Sequence, residues 1–315
     1  MQRRRLIIII LVAVLVPLLI LIAIAAAWVG IGMAGAGFGD KVALIHVDGV
    51  ITSGRGSGGL FGDGSAGSEY VVGLLERARK DGSVKSVVVR INSPGGSAAG
   101  SQEIYQEVNK VRRSGKKVTV SMGDVAASGG YYIACAADRI YAQPSTLTGS
   151  IGVIMATADV HELLGKLGID LGSIKSGKHK DMGTFTRPMT PDERRIAQDL
   201  ISDVFDQFVA DVSKGRKLDK GEVKKLADGR VYTGRQALKL KLIDRLGGLE
   251  DALRAAADDA GIKGEFDVVE YERGGLLDLL FGGAGSSVSQ FAGERSILGE
   301  LARKLLTNDR LLQMQ

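Results

Sequence analysis

Several things are scarce in this chain of 315 residues. It has one cysteine, Cys135, and three histidines, and aromatic residues make up 5% of it. A lone cysteine excludes an internal disulfide. Cys135 lies in an apolar helical stretch, so it reads as a small core residue rather than a reactive thiol. Basic surface interleaved with aromatics is also missing: of the formal charge of +5, three units sit in Arg3, Arg4 and Arg5. A nucleic-acid footprint is therefore not expected. No Gly-x-Ser-x-Gly elbow occurs anywhere, so the commonest strand-to-helix serine motif of α/β hydrolases is absent. Glycine, in contrast, is abundant, with 44 residues and no Gly-X-Y period. That pattern implies tight turns and close backbone approaches, not collagen.

The chain is organised around Val118–Met155. Val118, Val120 and Met122 alternate with Thr119 and Ser121 as in a strand, and small residues follow from Gly123 to Ala127. Ser128 stands at a strand-to-helix junction, with a short helix expected over Tyr131–Ala137. Gly129 and Gly130 lack a Cβ, so a peptide can lie against the backbone there. A serine at the start of a helix has unpaired N–H groups beside it that can hold a developing negative charge. Taken alone, Ser128 could equally be a helix cap.

The N-terminal MQRRR precedes an uncharged run from Leu6 to about Gly39, of which Leu6–Val29 can span a hydrocarbon core of about 30 Å. It reads as an uncleaved anchor, with Ala25-Ala26-Ala27 as the possible cleavage site of a signal peptide instead. The arginines place the N-terminus in the cytoplasm and the rest of the chain outside it. A first strand is expected over Lys41–Ile51, a mobile Gly/Ser loop over 53–67, a helix over Ser68–Arg79 capped by Ser68, and a strand over Val84–Ile91. Pro94-Gly95-Gly96 then forms a turn before a helix over Ala98–Arg113. Two strand-Gly-Gly-helix units in succession argue for parallel crossovers in an α/β fold. Further on come a helix at Val160–Leu167, a short strand at Ile169–Ser176, and a long helix opened by Thr190, Pro191 and Glu193. That helix carries an apolar stripe of Ile196, Leu200, Val204, Phe208 and Val212. Extended pieces flank a helix at Gly234–Lys239, and a helix spans Leu249–Ala260. The organisation expected is an anchor over 1–39, a catalytic domain over 40–260 and a partly ordered C-terminal extension over 261–315.

A serine nucleophile needs a base. His46 falls within a strand and His161 at an exposed helix start. His179, in a polar loop near Asp181, is the one histidine suited to a Ser-His-Asp arrangement. A desolvated lysine is the other option, because burial disfavours the ammonium. Lys175, Lys178 and Lys180 compete for that role, and spacing does not choose among them.

The chain resembles the short, single-domain form of the signal peptide peptidase A family, bacterial membrane-anchored serine peptidases of the Clp/crotonase fold. The resemblance rests on several motifs in order: the N-terminal anchor, Ile45-His46-Val47-Asp48-Gly49, Asn92-Ser93-Pro94-Gly95-Gly96, Ala126-Ala127-Ser128-Gly129-Gly130-Tyr131-Tyr132, Thr148-Gly149-Ser150-Ile151-Gly152-Val153, Ser176-Gly177-x-x-Lys180 and Gly229-Arg230-Val231-Tyr232-Thr233-Gly234-x-x-Ala237. It implies Ser128 as nucleophile and Lys180 as general base, with Gly95 and Gly129 donating to the oxyanion and Ser150 orienting the amine. It also implies apolar signal-peptide fragments as substrates, no cofactor or metal, and a ring-like or dome-like homo-oligomer with sites at subunit interfaces. A related protease acting on stomatin-like membrane proteins, or acyl-thioester chemistry on the same fold, are the alternatives.

Overall fold

The computed structural model describes residues 40–56 and 64–271. The proposed anchor, the loop tip at 57–63 and the extension after Tyr271 lie outside them. Among the described residues no helix is long and apolar enough to cross a membrane.

The centre of the molecule is a sheet of eight strands. In chain order the strands are β1 Lys41–Asp48, β4 Val84–Ser93, β5 Lys117–Ala127, β6 Arg139–Ala142, β7 Leu147–Gly149, β8 Val231–Thr233, β9 Arg245–Leu246 and β10 Asp267–Glu270. A separate two-stranded pair joins β2, Ile51–Thr52, to β3, Ala66–Gly67. The main order is β10-β1-β4-β5-β6-β9, with β7 paired to the end of β5 and β8 to β7. Every pairing is parallel except β7 with β8.

Parallel strands are covered on both faces, and the sequence of β4 shows why. Val87, Val88, Val89 and Ile91 are all fully buried. Val87, Val89 and Ile91 join the core formed with helices α1 (Ser68–Lys80), α2 (Ala98–Arg113) and α3 (Gly129–Ala134). Val88 points to the opposite face, where Val42 and Leu44 meet Ala252 and Ala256. The remaining helices are α4 (His161–Lys166), α5 (Pro191–Arg216), α6 (Lys220–Leu226), α7 (Gly234–Lys239) and α8 (Leu249–Asp259), which supplies that alanine face.

Because β4 and β5 are parallel neighbours, their C-terminal ends reach one edge of the sheet, with Ser93 paired to Ala126. The turns after them, Pro94-Gly95-Gly96 and Ser128-Gly129, therefore meet at that edge, where open α/β sheets place ligands.

Several expectations need correction. The first strand stops at Asp48, because Gly49 takes φ 75° and a Cβ there would lie 1.9 Å from the Gly64 carbonyl oxygen. Helix α1 is capped by Gly67; the Ser68 hydroxyl is buried, donates to Glu103 and accepts from Gly54 N–H. β5 continues through Ala127, and the short helix starts at Gly129 and ends at Ala134. No strand forms at Ile169–Ser176, where Leu171 and Ile174 are exposed and no neighbouring strand offers a ladder. The stripe on α5 is buried only at its C-terminal end: Phe208 and Val212 are in the core and Leu200 is exposed. At the sheet's edge β10 pairs with β1, and the Tyr271 hydroxyl donates to Asp81 at 2.9 Å.

Candidate active site

Ser128 occupies backbone space that few side-chain-bearing residues adopt, with φ 51° and ψ −117°. Such a conformation costs on the order of 1–3 kcal/mol and persists only where surrounding structure holds it. Here its N–H donates to the Gly149 carbonyl at 2.9 Å, and its carbonyl accepts from Tyr132 N–H at 2.8 Å. The Thr148 hydroxyl bonds the Ala126 carbonyl at 2.7 Å, fastening β7 to the end of β5. Gly95 presses against the turn from the other side at φ 104°. A Cβ at that position would lie 2.8 Å from both the Ser128 Cβ and the Gly129 nitrogen.

The donors around Ser128 differ in availability. Gly95 N–H already donates to the Ser93 hydroxyl at 3.1 Å. Gly96 and Gly129 N–H groups have no hydrogen-bond partner among the described residues, and the Gly96 nitrogen sits 3.4 Å from where a Cβ on Gly129 would stand. Gly96 and Gly129 both line the cleft that holds Ser128. The family resemblance implies Gly95; the neighbouring glycine of the same turn is visible in the sequence, but which N–H is free is not.

That cleft measures about 760 Å³ and its walls are largely apolar, with Ala98, Ala99, Tyr132, Val153, Val204 and Phe208 among them. The Tyr132 ring lies between Tyr105, at 5.1 Å, and Phe208, at 4.7 Å, and its hydroxyl donates to Asp211 at 2.5 Å. Burial first, then that carboxylate, push the Tyr132 phenol far above its ordinary range, so it stays neutral. Cys135 is fully buried, and desolvation raises its thiol well above the usual range, which suits a core residue and not a nucleophile.

Ser150 also lines the cleft, in a left-handed conformation (φ 49°), with its N–H donating to the Arg230 carbonyl at 2.9 Å. No lysine or histidine lines the cleft among the described residues. The three candidate lysines lie on an arm, residues 152–190, between Ile151 and α5. Lys175 pairs with Asp181 at 2.6 Å and Lys178 with Asp192 at 2.8 Å. Lys180 is exposed, and its ammonium has no ion pair or hydrogen bond among the described residues.

Against this geometry the relatives can be placed. The sequence pattern of Peptidase family S49 matches residues 110–263, and that of Clp protease matches residues 67–148. A Synechocystis sp. protein named as a protease is 42% identical over 233 residues, covering 73% of this chain and 79% of its own. An Enterococcus faecium protein named as a signal peptide peptidase, SppA, is 36% identical over 74% of this chain and 67% of its own. A chloroplastic serine protease, SPPA, of Arabidopsis thaliana is 36% identical over 79% of this chain and 37% of its own. This chain belongs to Peptidase family S49.

In this S49 peptidase the histidine-based alternative is not assembled. His179 faces Asp192 at 3.5 Å, while Asp181 is engaged by Arg187 and Lys175 and held far below the usual carboxylate range by them. His46 pairs with Glu270 at 2.8 Å, and His161 with Asp159 at 2.8 Å. No group of three or more His, Cys, Asp or Glu side chains suited to a metal ion occurs among the described residues. Two groups went unforeseen. Asp211 beneath the cleft carried no sequence signal, and Arg187 looked like one basic residue among many.

Proposed function

We propose that this chain is a membrane-anchored serine endopeptidase in which Ser128 attacks and Lys180 serves as general base, and that its substrates are apolar peptides such as signal-peptide remnants. The observation that supports it most is the strained Ser128 elbow, with the free N–H groups of Gly96 and Gly129 at the mouth of an apolar cleft. In the first step the Ser128 Oγ bonds to the scissile carbonyl carbon, its proton passes to the neutral Lys180 amine, and the carbonyl electron pair becomes an oxyanion. Gly129 holds that oxyanion with one of the two glycines after Pro94. Gly96 offers a free N–H, whereas Gly95 donates only if Ser93 lets go. Collapse breaks the C–N bond, and Lys180 returns the proton to the departing nitrogen. Water, deprotonated by Lys180, then releases the acyl group and Ser128 regains its proton. The Ser150 hydroxyl, at the cleft edge, is suited to orient the amine.

Lys180 is solvent-exposed in one copy of the chain, whereas a lysine base needs a desolvated site. A homo-oligomer, in which the arm of one copy enters the site of another, would supply both the lysine and the dry surroundings. Exposed apolar side chains on the arm, Leu163, Leu167, Ile174 and Phe185, favour such packing. The Leu6–Val29 run would hold the enzyme in the bilayer where its substrates lie, which raises their effective concentration. The catalytic domain would then be extracytoplasmic.

Cleavage of a fluorogenic apolar signal peptide by the full chain in liposomes tests this. Ser128→Ala and Lys180→Ala are each expected to lower kcat by about 10³-fold or more. Co-expressing the two inactive variants should restore part of the activity, since some interfaces then combine an intact Ser128 with an intact Lys180. Near-normal cleavage by either single variant would sink the dyad.

A further inference from the structure

We infer that Arg187 is a positioning residue for the general base, a clasp that fixes the Lys180 turn against the helix that walls the cleft. The inference rests on the Ser128–Lys180 reading above. A guanidinium has five N–H donors in a planar fork, and in Arg187 each has an acceptor. Nε and Nη2 donate to Asp181 at 3.0 and 2.7 Å. Nη1 and Nη2 donate to Glu193 at 2.9 and 2.6 Å, and Nη1 also donates to the Pro188 carbonyl at 3.1 Å.

What lies on either side of the clasp gives it a role. Asp181 is the residue next to Lys180, in a run of tight turns where Lys180 N–H bonds the Gly177 carbonyl at 3.1 Å and Thr184 N–H bonds the Asp181 carbonyl at 3.1 Å. Glu193, only 2% exposed, is the third residue of α5. It closes that helix's capping box by accepting from Thr190 N–H at 2.9 Å. Val204 and Phe208, further along α5, line the cleft. The chain of contacts thus runs from the cleft wall, along a helix, through a capped carboxylate and a doubly bidentate arginine, to the residue beside the base.

Elsewhere the arm is held by polar contacts rather than packing: α4 buries no side chain, Val160 N–H bonds the Phe185 carbonyl at 2.9 Å, and Lys178 and His179 face Asp192. Removing the guanidinium would leave two carboxylates facing each other, one of them buried, and would leave the turn tied to α5 only through Lys178 and His179 on Asp192. Lysine in its place would keep a charge but lose the fork. A displacement of about 1 Å in a reacting group can cost about 10²-fold in rate.

The test uses the full chain in liposomes with the fluorogenic apolar peptide, reading kcat, KM and melting temperature. Arg187→Ala is expected to lower kcat by about 10²-fold with KM changed less than about twofold. Arg187→Lys should recover about tenfold of that loss, and free methylguanidinium should partly rescue the alanine variant. Asp181→Asn, which keeps one acceptor, should give a smaller loss confined to kcat. If Arg187→Ala fails to fold, Asp181→Asn alone decides: an unchanged kcat overturns the inference. It is also overturned if Arg187→Ala keeps kcat within about twofold, or if its loss appears equally in KM and melting temperature with no rescue. Ser128→Ala and Lys180→Ala in the same assay separate the two claims. Activity in either means the dyad is wrong; both dead beside a normal Arg187→Ala means only the clasp is wrong.

Discussion

The two halves of the proposed site are built in opposite ways. Ser128 stands at the end of β5, in a part of the fold where Ile91, Met122, Tyr131 and Ile151 are all fully buried. Lys180 stands on an arm where Ile154 is 92% exposed and the short helix α4 buries nothing. The nucleophile needs a backbone conformation that is unfavourable in itself, so it sits where close packing leaves no alternative. A lysine base needs a neutral amine, and a neutral amine needs a dry place. One copy of the arm offers none, so its shape is set by ion pairs and its environment would be completed by a neighbour.

The packed half is open to attack by a single methyl group. Gly95→Ala puts a Cβ 2.8 Å from the Ser128 Cβ and the Gly129 nitrogen, against backbone that cannot rotate away, at a φ of 104° that alanine avoids. The expected result is a fall in kcat of about 10²- to 10³-fold, the range seen when oxyanion geometry is lost. Gly183→Ala is the matched change on the arm, at φ 83° with open space around the position, and only the strain of that φ should register, as about 1–2 kcal/mol of local destabilisation. Equal activity losses from the two would mean that the arm is as tightly packed as the sheet edge. The assay is the same peptide cleavage, read beside thermal melting.

What could be read in advance divides along the same line. The strand-turn-helix units were legible because β4 and β5 are runs of β-branched residues ended by glycine turns, and periodicity with local turn chemistry reports such units well. Thr190, Pro191 and Glu193 announced the start of α5 for the same local reason. The arm was not legible. Ile169–Ser176 has the apolar content of a strand, but a strand exists only if a neighbour offers a ladder. Nor was it legible which carboxylates the folded chain brings near the arm's lysines, Asp181 engaging Lys175 and Asp192 engaging Lys178. Likewise, the strain at Ser128 comes from long-range contacts with Gly95 and Gly149, and no nearby spacing marks it.

Stability separates the halves more gently. Ile91→Ala empties space in the main core between β4 and the helices above it and should cost about 2–5 kcal/mol, read by denaturant unfolding of the catalytic domain. Ile174→Ala removes a side chain with no burial in one copy and should stay within about 0.5 kcal/mol in the same measurement. Assembly is the discriminating readout: loss of Ile174 is expected to weaken the oligomer in sedimentation, whereas Ile91→Ala should act on unfolding first. If Ile174→Ala changed neither unfolding nor assembly, the arm's apolar surface would have no structural role.

The smallest expected effect is one of pH. Glu193 titrates at about 2 against an ordinary 4.5, chiefly because Arg187 donates to it and then because Thr190 N–H does. Asp181 is held lower still, first by Arg187 and then by Lys175. A carboxyl whose folded pKa is depressed contributes its full stabilisation above the unfolded value and loses it as the pH falls toward the folded one. The clasp should therefore be intact at pH 5 and above and loosen as the pH drops from about 4.5 toward 2. Hydrogen exchange, corrected for intrinsic rates, should show residues 177–190 losing protection across that window before the amides of Val87–Ile91 do, since those strand amides lie in the buried core of the sheet. Simultaneous loss in both regions would mean that the arm is not an independent unit. Unchanged protection in the arm down to pH 2 would mean that the ion pairs do not set its shape, and the contrast between a packed nucleophile and a clasped base would have to be abandoned.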